Sequence, residues 1–188
     1  MDNLFFDLSE LKSCGKNVII GKTVRIRYPE LVEIEDNVII DDFTYISTSL
    51  KVCSYVHIAS GCKLIGGREC SVEMQEFTSL SPNVVLSAGS DDYVNGIATP
   101  IIPEEFKGGV TKGKIIMEKH ALIGANSVVL PNVTFFEGAR LAALSLATTD
   151  LESYTLYGGI PARVIRDVNK THIAGYELRF REFIEQEK

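Results

Sequence analysis

A chain of 188 residues with 45% apolar and 23% charged side chains has the size and balance of one globular domain with a single continuous core. Its net charge of −6 argues against a nucleic-acid binder, which would carry a basic face. No run approaches the roughly 20 apolar residues of a membrane span, and the opening Met1-Asp2-Asn3-Leu4-Phe5-Phe6-Asp7 is acidic where a secretory signal is basic, so a cytoplasmic protein is expected.

In chain order, residues 1–16 place Leu4, Phe5, Leu8 and Leu11 at helix-like spacing, as a cap over an open first rung would. A six-residue rhythm then sets in, weakly through Ile20, Ile26 and Val32, and firmly through Ile34, Ile40, Ile46, Val52, Ile58 and Leu64. It slips, resumes at Met74, Leu80 and Leu86, breaks, and returns at Met117, Ile123, Val129, Phe135, Leu141 and Ala147. Smaller residues sit at intermediate places, among them Val38, Thr44, Val56, Cys62, Ala121, Ser127 and Ala139. A helix repeats near 3.6 and a strand at 2, so neither explains a period of six. Short strands joined by sharp corners do, with about three units per triangular turn and each turn stacked on the last. The expectation is an all-β parallel β-helix over residues 17–166.

The break at residues 87–114 is rich in Gly, Pro and charge, and a loop of that length in a compact domain is usually functional. The tail, 167–188, carries Ile173, Tyr176, Phe180 and Ile184 at helical spacing and reads as an amphipathic helix packed on the coil or a neighbour. Cys14, Cys53, Cys62 and Cys70 form no CxxC pair and read as reduced thiols.

Two segments carry a resemblance: Lys119-His120-Ala121-Leu122-Ile123-Gly124-Ala125-Asn126-Ser127-Val128-Val129-Leu130-Pro131, and the ending Leu156-Tyr157-Gly158-Gly159-Ile160-Pro161-Ala162-Arg163-Val164-Ile165-Arg166. Together they resemble the left-handed β-helix hexapeptide acyltransferases, in particular the galactoside, maltose and surface-polysaccharide sugar O-acetyltransferases. Ser90-Asp91-Asp92-Tyr93 and Tyr55-Val56-His57-Ile58-Ala59 resemble members linked to lipopolysaccharide synthesis. Handedness rests on the resemblance alone, since parallel crossovers are in general right-handed. The resemblance implies acetyl-CoA as cosubstrate, no metal, and a homotrimer with its sites between neighbouring coils. It implies that Ala125 and Ala143 present the corners along the pantetheine arm, followed by Thr148 and Thr149, with Arg163 and Arg166 beside the CoA phosphates. Small corners let a narrow arm approach, and guanidinium forks suit phosphate. Thr149 stands where relatives often carry Lys, and Leu144 replaces a common Gly.

A sugar hydroxyl attacks a thioester only as a base takes its proton, and His is the usual base near neutral pH. His172 lies in the polar tail, and His120 holds a corner where relatives carry His without evident chemistry. His57 follows inward Val56, so it points outward and is the candidate base. The O-acetyltransferase branch usually places its catalytic His in the loop after Ser81-Pro82-Asn83-Val84-Val85-Leu86, where this chain has Asp91, Asp92 and Tyr93 as candidate acceptor ligands. An ordinary Asp, pKa about 3.9, is a weak base for a hydroxyl. An amino sugar needs less help, so N-acetylation of an amino (nucleotide) sugar is the alternative to sugar O-acetylation. A non-catalytic scaffold subunit is the second alternative. A metal-dependent relative needing three converging imidazoles is not supplied by these histidines.

Overall fold

The computed structural model describes residues 3–186, so Met1, Asp2, Glu187 and Lys188 lie outside the described residues. The rhythm builds a parallel β-helix of about seven turns, with three flat faces. Each rung is a strand of mostly two residues, the second pointing inward and the first outward. On the first face Ile34, Val52, Met74, Met117 and Phe135 stack in register, with Leu151 bridged to Phe135. On the second, Ile20, Ile40, Ile58, Leu80, Ile123, Leu141 and Tyr157 do so. On the third the column is Ile26, Ile46, Leu64, Leu86, Val129 and Ala147. These columns meet in one core, and most of their side chains are wholly buried. The intermediate residues Val38, Thr44, Val56, Cys62, Ala121, Ser127 and Ala139 are buried beside them.

Sharp corners require left-handed backbone. At the edge between the first and second faces Asn17, Asn37, Tyr55, Phe77, His120 and Tyr154 take positive φ. At the edge between the second and third, Phe43, Asn83, Asn126 and Leu144 do. Asn adopts this region cheaply, whereas other side chains pay roughly 1 kcal/mol or more. Tyr55, Phe77 and His120 recover it by stacking one above another, with centroids 5.2 and 5.3 Å apart and planes 13° and 10° apart.

The edge between the third and first faces is where the coil admits extra residues. The slip after Leu64 is a bulge in the strand Lys63–Met74, and Gly66 brings its backbone against Gly89 so closely that neither site has room for a Cβ. The expected 87–114 loop leaves at the same edge. Its ends stay in the coil, Gly89–Ser90 pairs antiparallel with Thr111–Lys112 as a neck, and residues 91–110 project. Met74 and Met117 pair directly, so the ladder continues across the interruption.

The ends differ from the rhythm. At the N-terminus the helix-like spacing yields one 3₁₀ turn, Leu8–Glu10. Asp7 accepts the Ser9 amide and Glu10 reaches back to the Asp7 amide, closing a capping box after which Leu11 is extended. Phe6 and Leu11 join the core, while Leu4, Phe5 and Leu8 stay exposed. At the other end Thr155–Gly159 is the last rung of the second face, and Ala162–Asp167 folds back antiparallel on it instead of adding another hexapeptide. The C-terminal helix, Lys170–Gln186, lies on the edge between the first and second faces, where Phe180 meets the rings of Tyr55 and Phe77 edge-on. Among the described residues no helix is long and apolar enough to cross a membrane.

Candidate active site

His57 stands outward on the second face, between Ile39 and Ser79 on the adjoining rungs. Its Nε2 lies 2.8 Å from Oδ2 of Asp41, and both side chains are nearly half exposed. A carboxylate on one ring nitrogen fixes the ring's orientation. The projecting loop with Asp91, Asp92 and Tyr93 springs from the third–first edge, across the prism from the second face. One chain therefore does not bring His57 to the loop.

Within the loop the two aspartates separate. Asp92 accepts from the amides of Val94 (2.8 Å), Asn95 (3.0 Å) and Gly109 (3.0 Å). Those donors, the Gly109 amide foremost, hold its carboxyl far below the ordinary aspartate range. Asp92 is the staple that ties the two arms of the loop, with its lone pairs largely taken. Asp91 makes no such side-chain bonds among the described residues and sits half-buried at the root of the excursion. Tyr93 is almost fully exposed at 88%.

The cofactor candidates divide in the same way. Ala125 and Ala143 stack on successive turns at the second–third edge, where the amide of Leu144 donates to the carbonyl of Ala125 at 2.9 Å. Two buried serines pin this edge from inside. Ser127 Oγ donates to the Ala142 carbonyl (2.9 Å) and accepts the Ser145 amide; Ser145 Oγ accepts the Gly159 amide at 3.0 Å. A Cβ on Gly124 would overlap the backbone nitrogen of Ala143, so these turns approach as closely as glycine permits. Leu144 holds its corner at φ 56° with an exposed side chain, standing where a slim arm would pass. Arg163 lies just past the Gly159–Pro161 turn at the end of this edge, exposed, with one guanidinium N–H on the Ala162 carbonyl. Thr148 and Thr149 are exposed on the far side of the third face, at the loop edge. Arg166 lies on the second face instead, in a shallow depression with Arg140, Leu156 and Asn169. The third face and its two borders thus hold Ala125, Ala143, Thr148, Thr149 and Asp91, while His57 and Arg166 belong to the second.

His120 is taken up by architecture. Its side chain is 11% exposed, stacked on Phe77, with Nε2 2.8 Å from Oε2 of Glu177. Glu177 also receives Lys119 (2.6 Å) and Arg181 (2.7 Å), and Arg181 reaches Glu76. Burial would raise the Glu177 carboxyl, but Lys119, Arg181 and His120 outweigh it and hold the group down at about 2. Among the described residues no three of His, Cys, Asp or Glu converge to hold a metal ion.

No family model matches the chain. It is 32% identical over 163 residues to an Escherichia coli dTDP-4-amino-4,6-dideoxy-D-glucose acyltransferase, covering 85% of this chain and 83% of that one. The chain belongs to the hexapeptide-repeat sugar acyltransferases. Its coil is their left-handed β-helix, and it is a CoA-dependent acyltransferase. Among solved structures this acyltransferase matches AntD, an N-acyltransferase from Bacillus cereus in complex with dTDP and 3-hydroxybutyryl-CoA. The TM-score is 0.90 at 35% identity, over 97% of this chain and 99% of that one. A maltose O-acetyltransferase from Clostridium difficile shares the fold, with a TM-score of 0.58 at 18% identity over 86% of this chain and 72% of that one.

Proposed function

We propose that this acyltransferase moves an acetyl group from acetyl-CoA to the amino group of a nucleotide-linked amino sugar. The observation that carries the reading is the match along most of the chain to an acyltransferase named for a dTDP-amino sugar and to an N-acyltransferase in complex with dTDP. The chemistry of the loop agrees. It offers carboxylates and no imidazole, and an amine with a pKa near 8 keeps a free-base fraction at neutral pH that can attack without a strong base. The amine nitrogen attacks the thioester carbonyl, the tetrahedral adduct expels CoA as thiolate, and the surplus proton of the nitrogen passes to that thiolate or to Asp91. Three AntD structures carry a substituted serine and two a substituted aspartate, positions separated by the same interval as Ser81 and Asp91 here. Asp91 is therefore the acceptor ligand we assign, with Tyr93 closing over the sugar and Asp92 holding the loop. Ala125, Ala143, Thr148 and Thr149 line the cofactor's path, with Arg163 at its phosphate end.

The decisive measurement is CoA release from acetyl-CoA across a panel of hydroxyl sugars, free amino sugars and nucleotide-linked amino sugars. Turnover at least about a hundredfold higher on a nucleotide-linked amine than on its hydroxyl counterpart is expected. The reverse preference overturns the reading. The His57–Asp41 pair favours a second reading, O-acetylation with His57 as base. It needs a neighbouring copy to bring the second face to a loop, as in a homotrimer, with Arg166 then facing the cofactor. His57→Ala with unchanged turnover at saturating acceptor removes that reading, and a monomeric mass in solution removes the shared site.

A further inference from the structure

The third face divides along its length. Its later rungs turn Val85, Val128 and Leu146 outward in one ladder. Its earlier rungs turn Arg25, Tyr45 and Lys63 outward in register on three successive turns. Arg27 follows Arg25 with the same outward parity, its amide bonded to the Ile46 carbonyl. At the loop edge Arg27 and Arg68 both lie over the ring of Tyr28, at 5.5 and 4.7 Å from its centroid. Arg27 arrives from the first turn, Arg68 from the bulge after Leu64.

Such clustering is unusual for a chain of net charge −6. On the first face cations are matched by acids in pairs, as in Lys12–Glu33 and Lys114–Glu73. Here one carboxylate, Glu30, meets Arg68 at 2.6 Å, and the nearby Glu69 is engaged by Lys112. Among the described residues Arg27 and Lys63 have no ion-pair partner; Lys63 donates only to the carbonyl of Gly61. Glu30 occupies one N–H of the Arg68 fork, and a guanidinium has five. The surface is open beside it, since a Cβ on Gly67 would touch nothing within 4 Å. The Tyr28 ring gathers both guanidiniums at one spot, and their N–H groups beyond the one held by Glu30 suit a tetrahedral anion.

The position matters as much as the charge. Ile65 pairs with Ser87 on the strand that leaves for the projecting loop, and Gly66 of the bulge that carries Arg68 lies against Gly89 at the neck, so the arginine pair borders the edge from which the loop with Asp91 springs. We propose that Arg27 and Arg68, held over Tyr28, bind the diphosphate of a nucleotide-linked acceptor and so deliver its sugar to the loop root, with Lys63 adding positive charge farther along the same face. This rests on the N-acyl reading above and adds the anchor that selects a nucleotide-linked sugar over a free one.

The test uses dTDP alone as probe, titrated calorimetrically into the full chain. The wild type is expected to bind. Arg27→Ala and Arg68→Ala are each expected to weaken dTDP about tenfold or more, and raised salt to weaken wild-type binding steeply. CoA affinity measured on the same samples should stay within about twofold, which shows that the variants fold. Glu30→Gln separates binding from structure. If Arg68 serves only to hold Glu30, Glu30→Gln and Arg68→Ala should act alike; if Arg68 holds the anion, Glu30→Gln should leave dTDP binding equal or tighter. Equal affinity for dTDP in wild type and both arginine variants overturns the proposal, as does no dTDP binding by a wild type that acetylates free amino sugars. Absence of acyl transfer to any sugar amine, with dTDP still bound through the arginines, would instead sink the N-acyl reading and leave the anchor standing.

Discussion

Asp92 shows how a single carboxylate sets the shape of the loop. Its three backbone donors act only on the ionised form, so its folded pKa is depressed and its stabilisation is present above the unfolded value, about 3.9. As pH falls below that value the contribution declines, and it vanishes only once the folded group itself is protonated. Protection of the amides of Val94, Asn95 and Gly109, measured as exchange relative to the unstructured rate at the same pH, should therefore be high at neutral pH and fall in acid, and Asp92→Ala should show the low protection at every pH. Slow exchange in Asp92→Ala would mean that the neck alone orders the loop. Gly124 makes the complementary case at the edge proposed to hold the cofactor. Gly124→Ala places a methyl into the backbone of the next turn, which cannot give way as a side chain would. We expect a cost of about 1–3 kcal/mol in denaturant unfolding, together with weaker CoA binding. Normal CoA binding in the variant would move the pantetheine path off this edge.

At the scale of elements, the C-terminal helix is held by a charged clasp over an aromatic ladder. Glu177 collects Lys119, His120 and Arg181 while Phe180 packs on Tyr55 and Phe77. The folded Glu177 titrates at about 2, below its unfolded value, so the clasp is at full strength above about pH 4.3 and loosens as pH falls toward 2. Glu177→Gln strands three donors and should cost on the order of 2 kcal/mol, read as early loss of helical circular dichroism before the coil melts. A single transition with unchanged midpoint would show that the aromatic contacts suffice. Little of this was legible in the sequence. Helical spacing of Ile173, Tyr176, Phe180 and Ile184 announced a helix, but the clasp depends on Tyr55, Phe77 and His120 sharing one corner. That follows only after the extra residues between Leu64 and Met74 and between Leu86 and Met117 are assigned to a different edge. The same bookkeeping separates His57 from the loop. Parity tells inward from outward; it does not tell which of three faces an outward residue occupies until each insertion is placed. The short N-terminal turn was missed for a local reason, because the Asp7–Glu10 capping box ends what the spacing of apolar residues suggested would continue.

Across the whole molecule, the coil is close to one-dimensional, each turn touching only those above and below. A central truncation such as Ile58→Ala removes contacts on both sides and should cost about 2–5 kcal/mol; Ile20→Ala near the open end should cost distinctly less, because one neighbour is missing already. Equal losses in equilibrium unfolding would argue that something covers the first turn in solution. The direct pairing of Met74 with Met117 has a further consequence. The core ladder closes beneath the excursion as though nothing had been inserted, so the length and chemistry of residues 91–110 place no demand on the turns stacked beyond it. Loop sequence and scaffold integrity are thereby uncoupled, and residues above the Gly89–Ser90 and Thr111–Lys112 neck can be exchanged between homologues as a self-contained cassette; under the acceptor role proposed for Asp91, such an exchange changes what is acylated while the column of side chains underneath stays the same.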